Sequence, residues 1–301
     1  MLQGSKRVIV CALARDCAWA LKKNIKRIEK MRRQFLVCDV LVIENDSRDQ
    51  TKQLLWDWKQ KSEGVYVISN DYHTVTIPES LPNKVNPRCS YHRIEKMTRY
   101  RNIYLDWIEE RGGAYDYVIV LDIDANSFTT DIAKIIDRAP ADWGGITAHG
   151  IWYSPFDSIY YDTYPYMENK PEKLVFHVEK PDEYHANAKR IHKQIKRQPY
   201  MPVYSAFAGM GIYKQEAIKG LRYELMFNEM EDEEAEIHCE HVSLNKAISE
   251  RGYQLYIARD LKMTINSYKG IIHVYIKSIL FRSRFIKKIL IKYNLAKEIR
   301  E

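Results

Sequence analysis

Two aspartates one residue apart, Asp122 and Asp124, follow the most apolar run of the sequence, residues 117–121. Such a run predicts a buried β-strand, and ligands bind at the carboxyl ends of strands in open α/β sheets. Two carboxylates there are costly unless a cation pairs with them. Mn²⁺ and Mg²⁺ prefer oxygen ligands and bridge carboxylates to a diphosphate. The pair therefore predicts a divalent-metal site, although an ordinary turn with helix-capping aspartates has the same spacing.

A second polar turn, residues 44–47, also follows an apolar run. If both runs are strands of one parallel sheet, the two turns lie at the same edge of that sheet. Glu44 and Asp46 would then face the same cleft, where Asp46 could hydrogen-bond a ribose or a base edge. Capping of the following helix by Ser47 or Asp49 is the alternative, and both roles can coexist because different side chains fill them.

A basic row lies on a helix predicted over residues 91–111. Arg93, Lys96 and Arg101 fall near one face of that helix. Arginine makes bidentate contacts with phosphates, so the row could meet a diphosphate. A solvated basic face is the alternative interpretation.

An acidic run, residues 229–236, leads into a helix predicted at residues 242–251. Glu240 and His241 lie where that helix opens. A carboxylate in this position could act as a base or stabilise developing charge. For His241, a hydrogen-bonded histidine of the core is the favoured interpretation.

The last patterned segment, residues 276–301, begins with a stretch that has six basic and no acidic residues over 276–293. Wound as a helix, it places isoleucines and a leucine on one side and most basic residues on the other. This pattern predicts an amphipathic C-terminal helix on an anionic membrane surface. A helix docked on the domain with a solvated basic face is the alternative.

The elements that must position these residues can be read from the alternation of apolar runs and helical patterns. Strand–helix–strand order in the first half predicts an α/β fold with a doubly wound, mostly parallel sheet and flanking helices. Residues 150–200 show little periodicity outside 182–197 and are interpreted as an insertion or substrate lid. The predicted strands are residues 8–13, 37–43, 65–69, 117–121, a small-residue pair over 204–213, 255–258 and 263–265.

Composition narrows the class of protein. The 301 residues are 46% hydrophobic and 29% charged, which is typical of a folded chain and excludes disordered and fibrous classes. A net charge of +7 favours acidic partners such as phosphates, nucleotides or anionic lipid. No recognition motif supports nucleic acid as a partner, so we expect none.

The cellular compartment can be predicted from the cysteine pattern and from the lengths of the apolar runs. Five scattered cysteines without a CxxC motif predict reduced thiols. The N-terminal apolar run is too short for a signal peptide, and no stretch reaches the ~18 apolar residues that span a bilayer. We therefore expect a cytoplasmic protein peripherally associated with the inner face of the membrane.

Taken together, these motifs resemble those of glycosyltransferases with the GT-A fold. The shared points are Ala14-Arg15-Asp16 at a strand end, the 44–47 turn, Asp122-x-Asp124, the small-residue segment 206–209 and the acidic-to-helix segment near Glu240. More narrowly, the sequence resembles the CAP59-like α-mannosyltransferase family. The matching positions are residues 44–51, Arg93-Ile94, Met97, Arg101-Asn102, Tyr161-Asp162-Thr163 and, loosely, Cys239-Glu240.

The resemblance implies metal-dependent transfer of a hexose, with mannose as the candidate, from a GDP- or UDP-sugar to a glycan or lipid-linked acceptor in surface polysaccharide synthesis. Asp124 would ligate Mn²⁺ or Mg²⁺, and Asp122 would touch the metal or the ribose. His273 is the candidate third ligand, with His241 as its substitute.

The same resemblance assigns the remaining site residues. Glu240 would stabilise an oxocarbenium-like state if the anomeric configuration is retained, as the family suggests, or deprotonate the acceptor if it is inverted. Trp152 is equally compatible with core packing. The donor-binding candidates are Ala14, Arg15, Glu44, Asp46, Arg93, Arg101 and Asp122, and the acceptor-binding candidates are Trp152, Tyr161 and Asp162.

The expected domain is residues 1–275, with a nucleotide-sugar half at 1–130 and an acceptor half at 131–275, followed by the membrane-associating segment 276–301.

Two other functions compete with transfer. A sugar-nucleotide nucleotidyltransferase would need a Gly-rich phosphate loop after the first strand, and residues 11–16 contain no glycine. A non-catalytic carbohydrate- or membrane-binding protein derived from a transferase would not need the carboxylate pair.

Overall fold

A computed structural model describes residues 4–75, 77–81, 85–112, 114–154, 157–229, 235–267 and 270–272. Within these ranges the strands are β1 (Gly4–Ala14), β2 (Phe35–Asn45), β3 (Val65–Asn70), β4 (Tyr117–Asp122), β5 (Ser127–Phe128), β6 (Trp143–Tyr153), β7 (Ser158–Tyr160), β8 (Tyr200–Val203), β9 (Met210–Lys214) and β10 (Gln254–Thr264). The helices are α1 (Ala18–Arg32), α2 (Thr51–Lys61), α3 (Tyr91–Glu110), α4 (Ile132–Asp137), α5 (Pro181–Lys196), α6 (Gln215–Ile218) and α7 (Glu240–Glu250), with one turn of 3-10 helix at Pro87–Cys89.

The first four strands form the parallel part of the sheet, in the order β3-β2-β1-β4. Right-handed crossovers from β1 to β2 and from β2 to β3 place α1 and α2 side by side on one face, where they pack together. The chain returns from β3 to β4 through α3, which packs against α7. Residues 8–12 of β1 are fully buried, as expected for a central strand covered on both faces.

The second half of the chain continues the same sheet with mixed pairing. β9 lies antiparallel between β4 and β6, and β6 pairs in parallel with β10. Two edge strands, β5 and β8, run antiparallel to β10, and β7 runs antiparallel to β6. The sheet is therefore built by both halves of the chain.

Three elements differ from the sequence-based expectations. β6 extends to residue 153 within the region interpreted as an insertion, and β7 follows it. The strand pair expected over 204–213 is wrong at its start, because 204–209 form a loop with positive φ at Ala208 and Gly209. The two strands expected at 255–258 and 263–265 are one strand, β10, with a register shift between Ala258 and Lys262.

β6 was missed because Gly144, Gly145 and Gly150 interrupt its β-forming residues. Its glycines are required by packing, since a Cβ on Gly144 would lie 2.5 Å from Cβ of Tyr253. A side chain on Gly145 would press on Tyr213 at 3.1 Å. Tertiary contacts therefore override the local preference.

The core is a continuous layer of aliphatic and aromatic side chains on both faces of the sheet. All five cysteines are buried. No helix in the described part of the chain has the length and apolarity needed to cross a bilayer.

Candidate active site

A cleft of about 590 Å³ opens at the carboxyl ends of β1 and β4. We call it the central cleft. Its walls come from the β1 end, the β4 end and α3. Of the predicted site residues it is lined by Ala14, Arg15, Arg93, Asp122, Asp124 and Tyr161. Six candidates from four separate parts of the sequence thus meet in one place.

Asp122 ends β4 at the base of the central cleft. Its backbone N–H donates to the carbonyl of Gly209 at 2.8 Å, and its Oδ1 lies 3.7 Å from Nη2 of Arg101. Loss of hydration raises the pKa of Asp122 to about 7 against the opposing effect of Arg101, and Asp124 and other nearby carboxylates add to the rise.

Asp124 follows two residues later and has no basic partner among the described residues. Loss of hydration raises the pKa of Asp124 as well. Two carboxylates that resist ionisation side by side suit a hard divalent cation, because a cation stabilises their charged form. The donor set therefore fits Mn²⁺ or Mg²⁺.

Other metal ligands expected from the sequence do not join this pair in the described part of the chain. There, no group of three or more histidine, cysteine, aspartate or glutamate side chains is arranged to hold a metal ion. His241 is buried and stacks on Phe207, with ring centroids 3.5 Å apart. His273 lies outside the described residues.

A buried asparagine of α1 holds the loop that carries Asp124. Asn24 is fully buried, and its Nδ2 donates to the carbonyls of Ile123 and Ala125, both at 2.7 Å. Sequence reasoning missed this residue. The available signal was an amide on the inward face of α1, between Leu21 and Ile28 at helical spacing.

Gly209 makes the approach of the neighbouring loop possible. Its φ of 85° lies in the left-handed region, and a Cβ there would come within 2.7 Å of Cε of Met263. Both constraints select glycine. The small residues at 206–209 therefore serve the close packing behind Asp122.

Arg101 and Glu240 form a buried ion pair behind the cleft. Arg101 Nε donates to Glu240 Oε1 at 2.8 Å, and each side chain is only 3% exposed. The guanidinium also lies over the rings of Phe207 and Tyr223, 5.1 Å and 5.9 Å from their centroids. Although burial alone would raise it, the pKa of Glu240 is lowered to about 2 by Arg101 and further nearby cations. The pair joins α3 to the first residue of α7.

Asp162 follows β7 in a left-handed conformation, with φ of 78°. Its Oδ2 accepts a hydrogen bond from the backbone N–H of Ala208 at 3.1 Å. Burial raises the pKa of Asp162 to about 6 despite this bond, and Glu240 adds to the rise. Asp162 is thus a carboxylate whose proton affinity is close to that needed near neutral pH.

Two aromatic residues stand beside Asp162. Tyr161 lines the central cleft, and Trp152 lies with its ring centroid 6.3 Å from that of Tyr161. Trp152 is 42% exposed, so core packing does not describe its position. An exposed indole beside a cleft offers a face on which a sugar ring can stack.

The turn at residues 44–47 is held by its own carboxylates. Glu44 is fully buried and accepts from Ser47 N–H at 2.9 Å and from the hydroxyl of Ser69. Asp46 accepts from the N–H groups of His73 and Thr74. Despite burial, these and further hydrogen bonds lower the pKa of Asp46 to about 2. Both carboxylates fix the wall of the cleft, and donor contact by either remains a prediction.

Arg15 joins this wall to the cleft. Its Nη2 donates to the carbonyl of Thr74 at 2.8 Å, and its Nη1 lies 3.6 Å from Oδ2 of Asp46.

The capping role considered for Asp49 is present, since its Oδ1 accepts from Thr51 N–H, the first residue of α2. Its Oδ2 accepts from Ala18 N–H, the first residue of α1. One carboxylate thus serves the starts of two helices.

The basic row of α3 is only partly directed into the cleft. Arg93 lines it, with Nη1 donating to the carbonyl of Arg88 at 3.2 Å. Arg101 is buried in its pair with Glu240. Lys96 is buried against His92, with Nζ 2.9 Å from Nε2.

Comparison with known proteins was made on the sequence and on the fold. The sequence matches the family described as Cryptococcal mannosyltransferase 1 over residues 15–244. No curated protein matches it.

Several solved structures are similar in fold. GalNAc-T7, solved with UDP, GalNAc and Mn²⁺, has 12% identity and a TM-score of 0.50, covering 87% of this chain and 43% of its own. The mannosyltransferase PcManGT from Pyrobaculum calidifontis, in complex with GDP-Man and Mn²⁺, has 14% identity and a TM-score of 0.47, covering 99% and 65%. S. aureus TarS 1–349 has 15% identity and a TM-score of 0.43, covering 85% and 59%. The chain spans less than two thirds of the length of each of these proteins.

Proposed function

This chain belongs to the Cryptococcal mannosyltransferase 1 family of glycosyltransferases, and on that premise we propose that it transfers a hexose, with mannose as the candidate, from a nucleoside diphosphate sugar to an acceptor hydroxyl. The observation that carries the proposal is the pair Asp122 and Asp124 at the end of β4, opening into the central cleft. Their raised pKa values support a cation as the missing partner.

Asp122 and Asp124 would hold Mn²⁺ or Mg²⁺ by their carboxylate oxygens. When bound, the ion supplies Lewis-acid neutralisation of the departing diphosphate. Arg15 and Arg93 line the same cleft and would contact diphosphate oxygens from its opposite walls. Arg101 lies behind Asp122 and would act on the donor through that carboxylate.

Transfer breaks the bond between the anomeric carbon and the diphosphate oxygen, forms a bond to the acceptor oxygen and releases the acceptor proton. Asp162 is the better proton acceptor of the two buried carboxylates, because Glu240 is tied to Arg101 and its pKa is lowered to about 2. Glu240, paired with Arg101 behind the cleft, would instead hold the guanidinium beside Asp122. Trp152 and Tyr161 would stack on the acceptor sugar.

We extend the proposal to the cellular setting expected from the sequence. The acceptor would be a glycan or lipid-linked sugar in surface polysaccharide synthesis. The enzyme would lie in the cytoplasm at the inner face of an anionic membrane. The C-terminal segment on which that expectation rests, residues 276–301, lies outside the described residues.

A donor screen tests the proposal. The full-length chain is incubated with Mn²⁺ and each of a panel of GDP- and UDP-hexoses, and both the melting temperature and release of nucleoside diphosphate are measured. We expect one donor to raise the melting temperature in the presence of Mn²⁺ and to be consumed when an acceptor sugar is added. Stabilisation without consumption of any donor would favour the non-catalytic carbohydrate-binding alternative. If no donor raises the melting temperature and none is consumed, the proposal is overturned.

The same nucleoside diphosphate release assay tests the proton-accepting role of Asp162. We expect Asp162→Asn to lower kcat with little effect on the dissociation constant of the donor. An equal effect on both quantities would remove the proton-accepting role from Asp162.

A further inference from the structure

The outward face of α1 presents a row of basic side chains. Lys22, Lys26 and Lys30 follow one another at four-residue spacing, so they lie along one side of the helix. Lys23 and Arg33 flank this row, and all five side chains are exposed. We call these five residues the α1 basic stripe.

The stripe has no counter-charge among the residues that the structure describes. In the described ranges no ion pair joins any of its five residues to a carboxylate, and the one acid of α1, Glu29, is paired with Arg32 at 2.8 Å. Glu29 also accepts from Nε1 of Trp58 at 2.7 Å, which turns it toward α2. Like charges at i,i+4 destabilise a helix, so the stripe favours an anionic partner.

Apolar side chains stand at both ends of the stripe. Trp19, one turn before Lys22, is 64% exposed, and Leu36, just after Arg33, is 60% exposed. Single exposed apolar residues are common on protein surfaces, but these two border the same row of basic side chains. The neighbouring α2 adds Trp56, which is 41% exposed.

We propose that the α1 basic stripe, with Trp19 and Leu36 at its ends, docks on an anionic phospholipid surface with α1 lying parallel to the membrane. Lysines between exposed apolar anchors suit the headgroup region, where cations meet lipid phosphates and an indole ring enters the interface. A soluble polyanion would use the lysines but leave Trp19 and Leu36 in water.

Docking in this orientation would place the cleft at the membrane. Trp19 is both the end of the docking face and part of the lining of the central cleft. A lipid-linked acceptor would then reach the cleft without leaving the bilayer. This consequence rests on the proposed function, whereas the docking itself does not and is measured without any transfer.

Sedimentation with liposomes tests the docking. The full-length chain is mixed with phosphatidylcholine vesicles that contain either no anionic lipid or about 30% phosphatidylserine. Each lysine near an anionic surface contributes roughly a factor of five, so we expect Lys22→Gln, Lys26→Gln and Lys30→Gln together to lower the partition coefficient on anionic vesicles about 100-fold. Equal binding of wild type and this triple variant would overturn the proposal.

A control with the same change in net charge separates the stripe from charge alone. Lys170→Gln, Lys193→Gln and Lys219→Gln neutralise three exposed lysines that lie outside α1. We expect this variant to bind within about twofold of wild type. A loss equal to that of the α1 variant would mean that net charge, and not the stripe, drives binding, and would overturn the assignment to α1.

Quenching of tryptophan fluorescence by brominated lipids separates a membrane from a soluble polyanion. We expect quenching in the wild type that is largely lost in Trp19→Phe. Stripe-dependent binding to a sulfated polysaccharide without lipid quenching of Trp19 would overturn the proposal in favour of a polyanionic partner. Circular dichroism of each variant confirms that the fold is kept.

Discussion

Asp122 and Asp124 are one residue apart, yet the chain holds them differently. Asp122 faces Arg101 and lies against the Gly209 loop, whereas Asp124 has no basic partner in the described part of the chain. Asp124 is also exposed, so its removal breaks no ion pair among the described residues and disturbs no buried contact of its side chain. Stability and function are separable at this residue.

We expect Asp124→Ala to abolish Mn²⁺-dependent transfer and to leave the melting temperature within a few degrees of wild type, since surface-type substitutions change stability by only about 0.5 kcal/mol. Turnover and differential scanning fluorimetry measure the two effects. Asp131→Ala, at an exposed aspartate outside the cleft, is the matched control. Activity retained in Asp124→Ala would contradict the metal assignment.

The buried pair of Arg101 and Glu240 behaves in the opposite way. Glu240→Ala removes the nearer of two carboxylates and leaves the buried guanidinium with only Asp122, 3.7 Å away, which costs about 3 kcal/mol. The double variant Arg101→Met, Glu240→Leu removes both charges and should recover most of that loss. Urea unfolding of the wild type, Glu240→Ala, the single variants Arg101→Met and Glu240→Leu, and the double variant completes the cycle. A double variant no more stable than Glu240→Ala would show that the two residues are not coupled.

At the scale of elements, α1 connects the surface of the protein to the strand end that carries Asp124. Asn24 on its inner face satisfies two backbone carbonyls on either side of that aspartate. The helix therefore acts on the candidate metal site as a positioning element.

We expect Asn24→Leu to destabilise the protein by about 1–3 kcal/mol, because two buried carbonyls lose their donor. It should also weaken Mn²⁺ binding, since the loop around Asp124 is no longer fixed. Gln34→Leu is the control, because Gln34 also bridges two backbone groups, donating to the carbonyl of Thr130 and accepting from the N–H of Ala133, away from Asp122 and Asp124. Calorimetry that finds the same Mn²⁺ affinity in Asn24→Leu as in this control would exclude the positioning role.

A second inter-element contact joins β6 to α5 through two buried histidines. His149 Nε2 lies 2.8 Å from His192 Nδ1, and His192 Nε2 lies 3.0 Å from the hydroxyl of Ser158. His149 Nδ1 faces the carbonyl of Arg259 at 3.4 Å and must carry a proton. His192 then donates to His149, and Ser158 donates to His192, so both rings are neutral.

Burial lowers the pKa of His149 to about 3 and that of His192 to about 4, from 6.5. The unfolded chain therefore binds more protons below pH 6.5, and the stability contributed by the neutral pair is lost as the pH falls from 6.5 toward 4. At about pH 4.5 we expect a loss of about 2 kcal/mol for each histidine.

The double variant His149→Leu, His192→Leu isolates this effect in urea midpoints at pH 7 and about pH 4.5. It should lose less stability on acidification than the wild type, while His185→Leu, at an exposed histidine, should behave like the wild type. The same acid sensitivity in all three proteins would mean that other groups are responsible.

At the scale of the whole molecule, one sheet runs through both halves of the chain. β9 from the second half lies between β4 and β6, so the 1–130 and 131–275 halves expected from the sequence share strand pairing at the sheet centre. The candidate site is likewise shared, with Asp122 in one half and Asp162 and Glu240 in the other. We infer that neither half keeps the site alone.

A single unfolding transition is therefore expected. Far-UV circular dichroism reports the sheet, and the tryptophans, with Trp58 in the first half and Trp143 in the second, report both halves. Thermal curves from the two probes should coincide. Two separated transitions would show that the halves unfold independently.

The parts of the fold that the sequence predicted are those whose local pattern and tertiary role agree. β1, β2 and β4 are apolar runs with buried centres. The GT-A fold and the family, which were expected from the resemblance of the motifs, are confirmed. β6 could not be predicted from a local pattern, because its glycines are required by close packing against Tyr253 and Tyr213, which are distant in sequence.

In the candidate site, too, the residues with a local sequence pattern were predicted, and those set by distant contacts were not. Four predicted residues lie at strand ends or on a helical face and meet in the cleft, namely Asp122, Asp124, Arg15 and Arg93. The support by Asn24 depends on a contact between residues about a hundred positions apart, which no local pattern encodes. The assignment of each residue to metal, donor or acceptor stays a prediction.

The position of β9 has a consequence for synthesis on the ribosome. β4 is complete at Asp122, but the strand that covers its open side begins only at Met210, about 90 residues later. At about 5–20 residues per second, the growing chain leaves that edge uncovered for roughly 4 to 18 seconds. We expect nascent chains halted in this interval to recruit chaperones, and chains released after Lys214 to need them less.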